Sequence, residues 1–345
     1  MNRTAVISIL AALCAIGAGL ACLWYADNRK PNFSRTAEIY IYPETTADEA
    51  LELIAGKAGV KSRKSLERSF RSKKVAEYLT PGHYTVSKTC SSVYVARMLN
   101  NGWQTPVSLT LAGNLRIKGN IAAKISSQLL LDSASVHAAL DSDTLLARYG
   151  FTPRNVFSLL MPATYEIYWT ASVADVLDRM KEAYDAFWTP DNDAKAAALK
   201  LSRNQVSILA SIVRAESNWE PEMPMIAGVY LNRLKIGMPL QADPTVAFCY
   251  DYKLTRVLRK HLEVDSPYNT YTHQGLPPGP ICVPTRAALE AVLNPDFGGV
   301  WGKGNLYFCA AADFSGKHVF ARSLSAHNTN AAAFQSALNK RSKDR

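Results

Sequence analysis

The stretch SRNQVSILASIVRAES, residues 202–217, decides how the rest of the chain is read. Ser202 followed three residues later by Gln205 forms a capping box, so a helix opens at about Arg203. Its apolar positions are Val206, Ile208, Leu209, Ile212 and Val213. At about 100° per residue, Glu216 lies about 20° from Leu209, about 40° from Ile212 and about 60° from Val213, while Arg214 falls on the opposite side. The carboxylate therefore extends the apolar stripe. A carboxylate held there loses hydration, which raises its pKa and suits a general acid that must keep its proton near neutral pH. A glutamate near a helix end that is half exposed, or paired with an arginine such as Arg233, fits the same spacing.

The sequence downstream is unusual in composition. MIAGVYLNRLKIGMPLQADPTV predicts a helix over 225–236 ended by Gly237, then an extended segment bearing Gln241 and Asp243. Pro244 biases Asp243 away from helical conformation, onto a rigid turn or strand start. Residues 266–281, SPYNTYTHQGLPPGPI, are dense in Pro, Gly, Tyr and Asn. They can continue neither a helix nor a regular strand, yet they are too apolar for a solvent loop. Asn269, Tyr268 and Tyr271 offer amide groups for hydroxyls and aromatic faces for sugar rings. A structural loop packed on the core is the competing reading. His318 and His327 read as local hydrogen-bonding residues, because no third metal ligand has suitable spacing.

At 345 residues, the chain can hold one large or two modest domains. Its 48% hydrophobic content is that of a folded protein, and its net charge of +10 is spread without a basic block. Such a surface suits an acidic polymer or an anionic membrane face. No nucleic-acid module accompanies it, so no nucleic-acid partner is expected. Residues 5–25, AVISILAALCAIGAGLACLWY, carry no charge and are long enough as a helix to cross a bilayer, with Trp24 and Tyr25 at an interfacial position. A cleaved signal peptide and a lipid on Cys22 compete with an uncleaved anchor, which is the reading adopted. The flanking charges, Arg3 before the span and Arg29, Lys30 and Arg35 after it, mildly oppose an outward-facing C-terminus. Six cysteines, Cys14, Cys22, Cys90, Cys249, Cys282 and Cys309, show no metal-binding spacing. Buried thiols and two disulfides both remain open.

The expected fold class is α+β, with an N-terminal transmembrane helix, a small α/β subdomain and a larger mixed helical and β domain. Residues 1–4 precede the span and 26–36, polar and containing Pro31, read as a linker. A strand at 38–42 is followed by a helix opened by the Thr46/Glu49 capping box, a second helix over 65–79, and a strand in PGHYTV. This strand–helix–helix–strand unit would cover its sheet with the two helices. Ser91 or Ser92 starts a further helix stopped by Asn101-Gly102, residues 126–149 read as helical, and a helix follows over 173–188. The turn-rich TPDND at 189–193 predicts a domain boundary. The chain thus divides into 37–113, a connecting region 114–190, and 191–345.

LASIVRAES, YLNRLKIGMPLQADPTV, DSPYNTYTHQGLPPGPI and HVFARSLSAHN occur in that order. Together they resemble the YceG-like family of membrane-anchored endolytic murein transglycosylases, over about residues 205–330. PGHYTV and MPATYEIY resemble that family's LysM-like region and its junction with the catalytic part, which would make 37–113 LysM-like and 191–345 catalytic. Arg214, Ser217 and Ala242 depart from the family, whose members often carry an acidic residue at the first position and Thr at the other two.

The resemblance implies a peptidoglycan lyase without a cofactor. It places the catalytic glutamate at Glu216, acting as acid and then base on the β-1,4 bond from N-acetylmuramic acid to N-acetylglucosamine and leaving a 1,6-anhydro end. Gln241, Asp243, Asn269, Tyr268 and Tyr271 would then bind glycan. The soluble part would face outward from the cytoplasmic membrane, acting on nascent strands beside cell-wall synthases. Two other readings stay open: a muramidase-type hydrolase using Asp243 as second carboxylate, and a catalytically silent glycan-binding scaffold.

Overall fold

The structure, a computed structural model, describes residues 3–343. It is α+β, mostly helical with small two-stranded sheets. Two compact units are present. The first comprises residues up to 109 with 128–130 and 166–172; the second comprises 110–127, 131–165 and the chain from 173 onward.

The first unit begins with helix α1 (Arg3–Asn28), uncharged from Ala5 to Tyr25, unburied and long enough to cross a membrane. Strand β1 (Ala37–Ile41), helices α2 (Ala47–Ala58), α3 (Arg63–Ser72) and α4 (Val75–Tyr78), and strand β2 (Gly82–Val86) follow, then helix α5 (Ser92–Asn100) and strand β3 (Val107–Thr110). β1 and β2 pair antiparallel, Ile39 opposite Tyr84. Their buried faces meet Leu51, Ile54, Leu66 and Leu99 from the helices. The Thr46/Glu49 capping box forms as the sequence predicts. The single helix expected over 65–79 is instead two, because Lys74 adopts a left-handed backbone (φ 54°) between α3 and α4.

Residues 26–36 do not form a free linker. α1 runs through Asn28, and Asp27 accepts from Arg68 at 2.7 and 3.0 Å and from Ser65 Oγ at 2.6 Å. Asn32 is buried, bonding the Ser62 backbone and Ser92 Oγ, and Phe33 is fully buried. Polar composition and Pro31 suggested a linker; Asp27 and Asn32 are instead paired with α3 and α5 and the turn before α3.

The second unit holds helices α6 (Lys118–Ser126), α7 (Ser133–Leu140) and α8 (Asp143–Ala147), strand β4 (Thr164–Ile167, its first half), and helices α9 (Val173–Phe187), α10 (Pro190–Ala198), α11 (Arg203–Glu216), α12 (Met223–Lys235), α13 (Asp243–Cys249) and α14 (Arg286–Leu293). A hairpin of β5 (Tyr307–Ala310) and β6 (His318–Ala321) and the long helix α15 (Leu324–Lys343) complete it. Residues 126–149, expected as one helix, are broken by Asp132 and Ser142, each capping a new helix. The turn-rich 189–193 lies inside this unit. Thr189 caps α10 and Pro190 takes its first turn, where a missing N–H costs nothing.

The core of the unit is α11 against α12 and α14, through Leu209, Ile212, Ile226, Val229, Leu289 and Val292. Gly228 lets the backbone of Asp296 and Phe297 lie directly on α12, since a Cβ there would sit 1.9 Å from the Asp296 carbonyl oxygen. Asn232 fixes the same strap, donating to the carbonyls of Phe297 (3.1 Å) and Asn305 (2.8 Å) and accepting from Gly302 N–H (2.7 Å). α12 is thereby held with its Tyr230 and Arg233 side chains, i and i+3, turned to one region. All six cysteines are free thiols.

Candidate active site

Glu216 is the last residue of α11. Ser217 leaves the helix in an extended conformation (φ −140°, ψ 142°), so the carboxylate stands at the helix's carbonyl end, where the dipole disfavours negative charge. The residue is half-buried: its carboxyl opens on a cleft, yet protein atoms crowd it on the other sides. Oε1 accepts a 2.6 Å hydrogen bond from the Tyr230 hydroxyl. Its pKa is pushed up to about 7. Burial is the main cause; the Tyr230 bond opposes it, the Asp243 charge adds to it, and His318 and Arg233 pull it back. The glutamate is thus poised between its two protonation states near neutrality.

Arg233 does not neutralise it by direct pairing. Its Nε donates to the Leu306 carbonyl (2.7 Å) and Nη1 to the Leu240 carbonyl (2.6 Å), and its guanidinium lies over the Tyr307 ring. Arg214 is turned elsewhere and bonds Asn218.

Two hollows border Glu216. One, of about 350 Å³, is lined by Tyr230, Arg233, Gln241, Asp243, Tyr271 and Tyr307, together with Phe308, Leu324 and His327. The other, of about 470 Å³, is lined by residues 217–219 and 315–318, including the exposed Trp219, whose ring carries Lys317 Nζ at 4.7 Å. The glutamate stands where they meet.

The sequence-chosen residues separate into two groups. Gln241, Asp243 and Tyr271 share the first hollow with Glu216. Gln241 has a left-handed backbone (φ 52°) and its N–H is held by the Thr270 carbonyl. Asp243 is exposed and accepts from the Tyr271 hydroxyl at 2.6 Å. It opens α13 instead of sitting in an extended turn, because Pro244 falls in the first helical turn, where proline is tolerated. Asn269 and Tyr268 are not in the cleft. Asn269 is fully buried; its amide donates to the carbonyls of Leu262 (2.8 Å) and Val264 (2.9 Å) and its oxygen accepts Tyr271 N–H (3.0 Å). The loop backbone consumes every polar atom that was expected to meet a sugar. Tyr268 packs on Phe248, ring centroids 4.6 Å apart, around a different hollow.

Sequence reasoning missed Tyr230, Arg233, Trp219, Tyr307 and Phe308 as cleft residues. Tyr230 and Arg233 share one face of α12 by their i, i+3 spacing, but that spacing does not say that the face meets Glu216. The hairpin residues carry no such local signal. His318 lies beside Glu216, its Nδ1 2.7 Å from the buried Glu222, which also accepts the His318 backbone N–H at 2.7 Å. His327 stacks on Tyr307, and its Nδ1 is buried without a hydrogen bond among the described residues.

Known proteins resemble this chain in sequence and, in one case, in structure. The chain is 28% identical over 305 residues to an endolytic murein transglycosylase of Bacillus subtilis, covering 82% of this chain and 80% of that one. It is 31% identical over 178 residues to an endolytic murein transglycosylase of Streptococcus pneumoniae, covering 50% of this chain and 31% of that longer one. A crystal structure of a YceG-like protein from Listeria monocytogenes superposes with a TM-score of 0.56 at 25% identity, over 86% of this chain and 98% of the other. The YceG-like family matches residues 39–333, and the chain belongs to that family.

Proposed function

We propose that this protein is a membrane-anchored endolytic transglycosylase of peptidoglycan with Glu216 as its acid and base. The observation that carries the reading is a glutamate with a pKa of about 7 standing between two hollows. A polymer that passes from one hollow to the other places a scissile bond at the carboxyl, with strand on both sides of it.

Protonated Glu216 gives its proton to the glycosidic oxygen as the C1–O bond breaks and positive charge develops on the muramic ring. The carboxylate formed then takes the proton of the C6 hydroxyl while that oxygen bonds C1. The product is a 1,6-anhydro end, and the carboxyl is restored. One group serves both steps, as a pKa near the working pH favours. Tyr230 holds Oε1 and leaves Oε2 for the substrate. Asp243, Gln241 and Tyr271 position the sugar in one hollow, and Trp219 offers a ring face in the other. α1 is the anchor, with the second unit on the outer side where peptidoglycan lies, and the strand–helix–helix–strand unit is LysM-like.

Asp243 shares the cleft with Glu216 and so keeps a second reading in play, a hydrolase that directs water to C1. The test is to incubate the full chain in detergent with purified peptidoglycan and to identify the new ends by mass spectrometry. Anhydromuramic ends that vanish in Glu216→Gln are expected. Reducing ends that vanish in Asp243→Asn establish the hydrolase, and intact glycan with binding retained establishes a scaffold.

A further inference from the structure

A third hollow of the second unit, about 360 Å³, lies at the other end of α13 from the cleft. Asp243 at the start of α13 lines the cleft and Phe248 near its end lines this hollow, about 8 Å apart along the helix axis. The loop of residues 266–281 joins the two as well, with Tyr271 in the cleft and Tyr268 in the hollow.

The chemistry of the hollow is cationic and aromatic. Arg116, Lys118 and Arg154 line it with Phe248, Tyr252 and Tyr268. The Arg116 guanidinium lies over the Tyr252 ring at 4.7 Å, and its Nε is buried without a hydrogen bond among the described residues. Tyr252 cannot turn to meet it, because its hydroxyl donates to the Ile281 carbonyl at 2.6 Å. The nearby acids are engaged: Asp141 with Lys118 (2.5 Å) and Asp251, itself on the wall, with Lys253 (3.0 Å). Arg154 stands exposed at the rim, its backbone carbonyl pressed against Gly279. A buried guanidinium donor without an acceptor is costly, and a planar carboxylate is the group that matches it.

We infer that this hollow binds a carboxylate of the peptide stems that branch from the glycan, with Arg116 and Arg154 as its cations. Three extended residues reach about 10 Å, so a stem on a sugar held beside Asp243 spans the length of α13. The site makes the enzyme selective for strands that still carry stems. This rests on the proposed peptidoglycan activity for its setting, but the binding itself does not require cleavage.

The experiment therefore has a binding arm and a turnover arm, both on the full chain in detergent. In the first, calorimetric titration with stem peptide released from peptidoglycan is compared with the same peptide with its carboxylates amidated. Tighter binding of the free acid by about tenfold is expected, lost in Arg116→Gln and Arg154→Gln and only partly kept in Arg116→Lys, which retains the charge but not the planar fork. Equal binding of the two peptides, or acid binding unchanged in both glutamine variants, overturns the inference. Inorganic pyrophosphate competing with the peptide at lower concentration also overturns it, assigning the hollow to phosphate. In the second arm, strands with stems are compared with strands stripped of them. The double variant should lose at least tenfold more kcat/KM, through KM, on stem-bearing strands. An equal loss on both substrates contradicts stem recognition, whereas a wild type that binds the acid peptide but cleaves neither strand contradicts only the transglycosylase reading.

Discussion

Glu216 and Glu222 lie six residues apart and are both withdrawn from water, yet their surroundings oppose each other. Glu222 is enclosed, with 1% of its surface exposed, and both oxygens accept from His318. Glu216 borders two hollows, has a single phenol as hydrogen-bond donor among the described residues and has its pKa raised to about 7. Burial alone therefore does not make an acid catalyst. A buried carboxylate with a full set of donors is a structural post tying the β6 strand to the turn before α12. One with too few donors, facing a cleft, retains a proton it can give away.

Removing each carboxylate should break this contrast in different observables. Glu216→Gln should lower kcat about 10³-fold, the size expected for a general acid. The same variant should gain stability in alkaline buffer. The folded-state pKa of about 7 lies above the ordinary 4.5. The folded chain thus holds a proton that the unfolded chain releases, and the contribution to stability falls as pH rises from about 4.5 to about 7 and is flat above. One unit is worth about 1.4 kcal/mol, and partial exposure screens the total to about 2 kcal/mol. Urea melts should show Glu216→Gln more stable than wild type by about that amount at pH 8 and equal to it at pH 4. A variant that is no more stable at pH 8 would mean the carboxyl is solvated.

Glu222→Ala should act in the opposite sense, on folding. It leaves the His318 backbone N–H and Nδ1 without their acceptor in a buried place and should cost about 3 kcal/mol in urea melts. The folded fraction should keep kcat within about tenfold of wild type. A loss of activity as large as that of Glu216→Gln, with stability intact, would erase the distinction and place Glu222 in the reaction.

What could be read beforehand follows the range of each interaction. The capping boxes at Thr46/Glu49 and Ser202/Gln205 close within three residues, and the position of Glu216 on the apolar stripe follows from helical spacing, so both were legible. The Glu222–His318 pair spans 96 residues and was not. Tyr230 sits amid apolar neighbours on α12, where a tyrosine reads as core until α11 is placed beside it. Asn269 shows the converse failure: its composition suggested a sugar ligand, but whether an amide faces a ligand or its own loop depends on where the backbone carbonyls of Leu262 and Val264 end up. At 189–193 the ambiguity is chemical, since Thr-Pro-Asp suits a turn and a helix start equally well.

The finest test turns on the donors and charges around Glu216 itself. Proton donation requires the protonated form, so kcat/KM should fall about tenfold per pH unit above about 7. The Tyr230 hydrogen bond lowers the pKa of Glu216 and the Asp243 charge raises it. Tyr230→Phe should therefore move the alkaline limb to higher pH, and Asp243→Asn should move it to lower pH. Neither should move it far, because burial is the largest cause and both variants leave the wall of the cleft in place. A pH–rate profile of each variant reads the two shifts with opposite signs. Shifts of the same sign would mean that the substitutions act by changing solvent access and not through the carboxyl's own partners. A limb unmoved in both would mean that the titrating group is not Glu216.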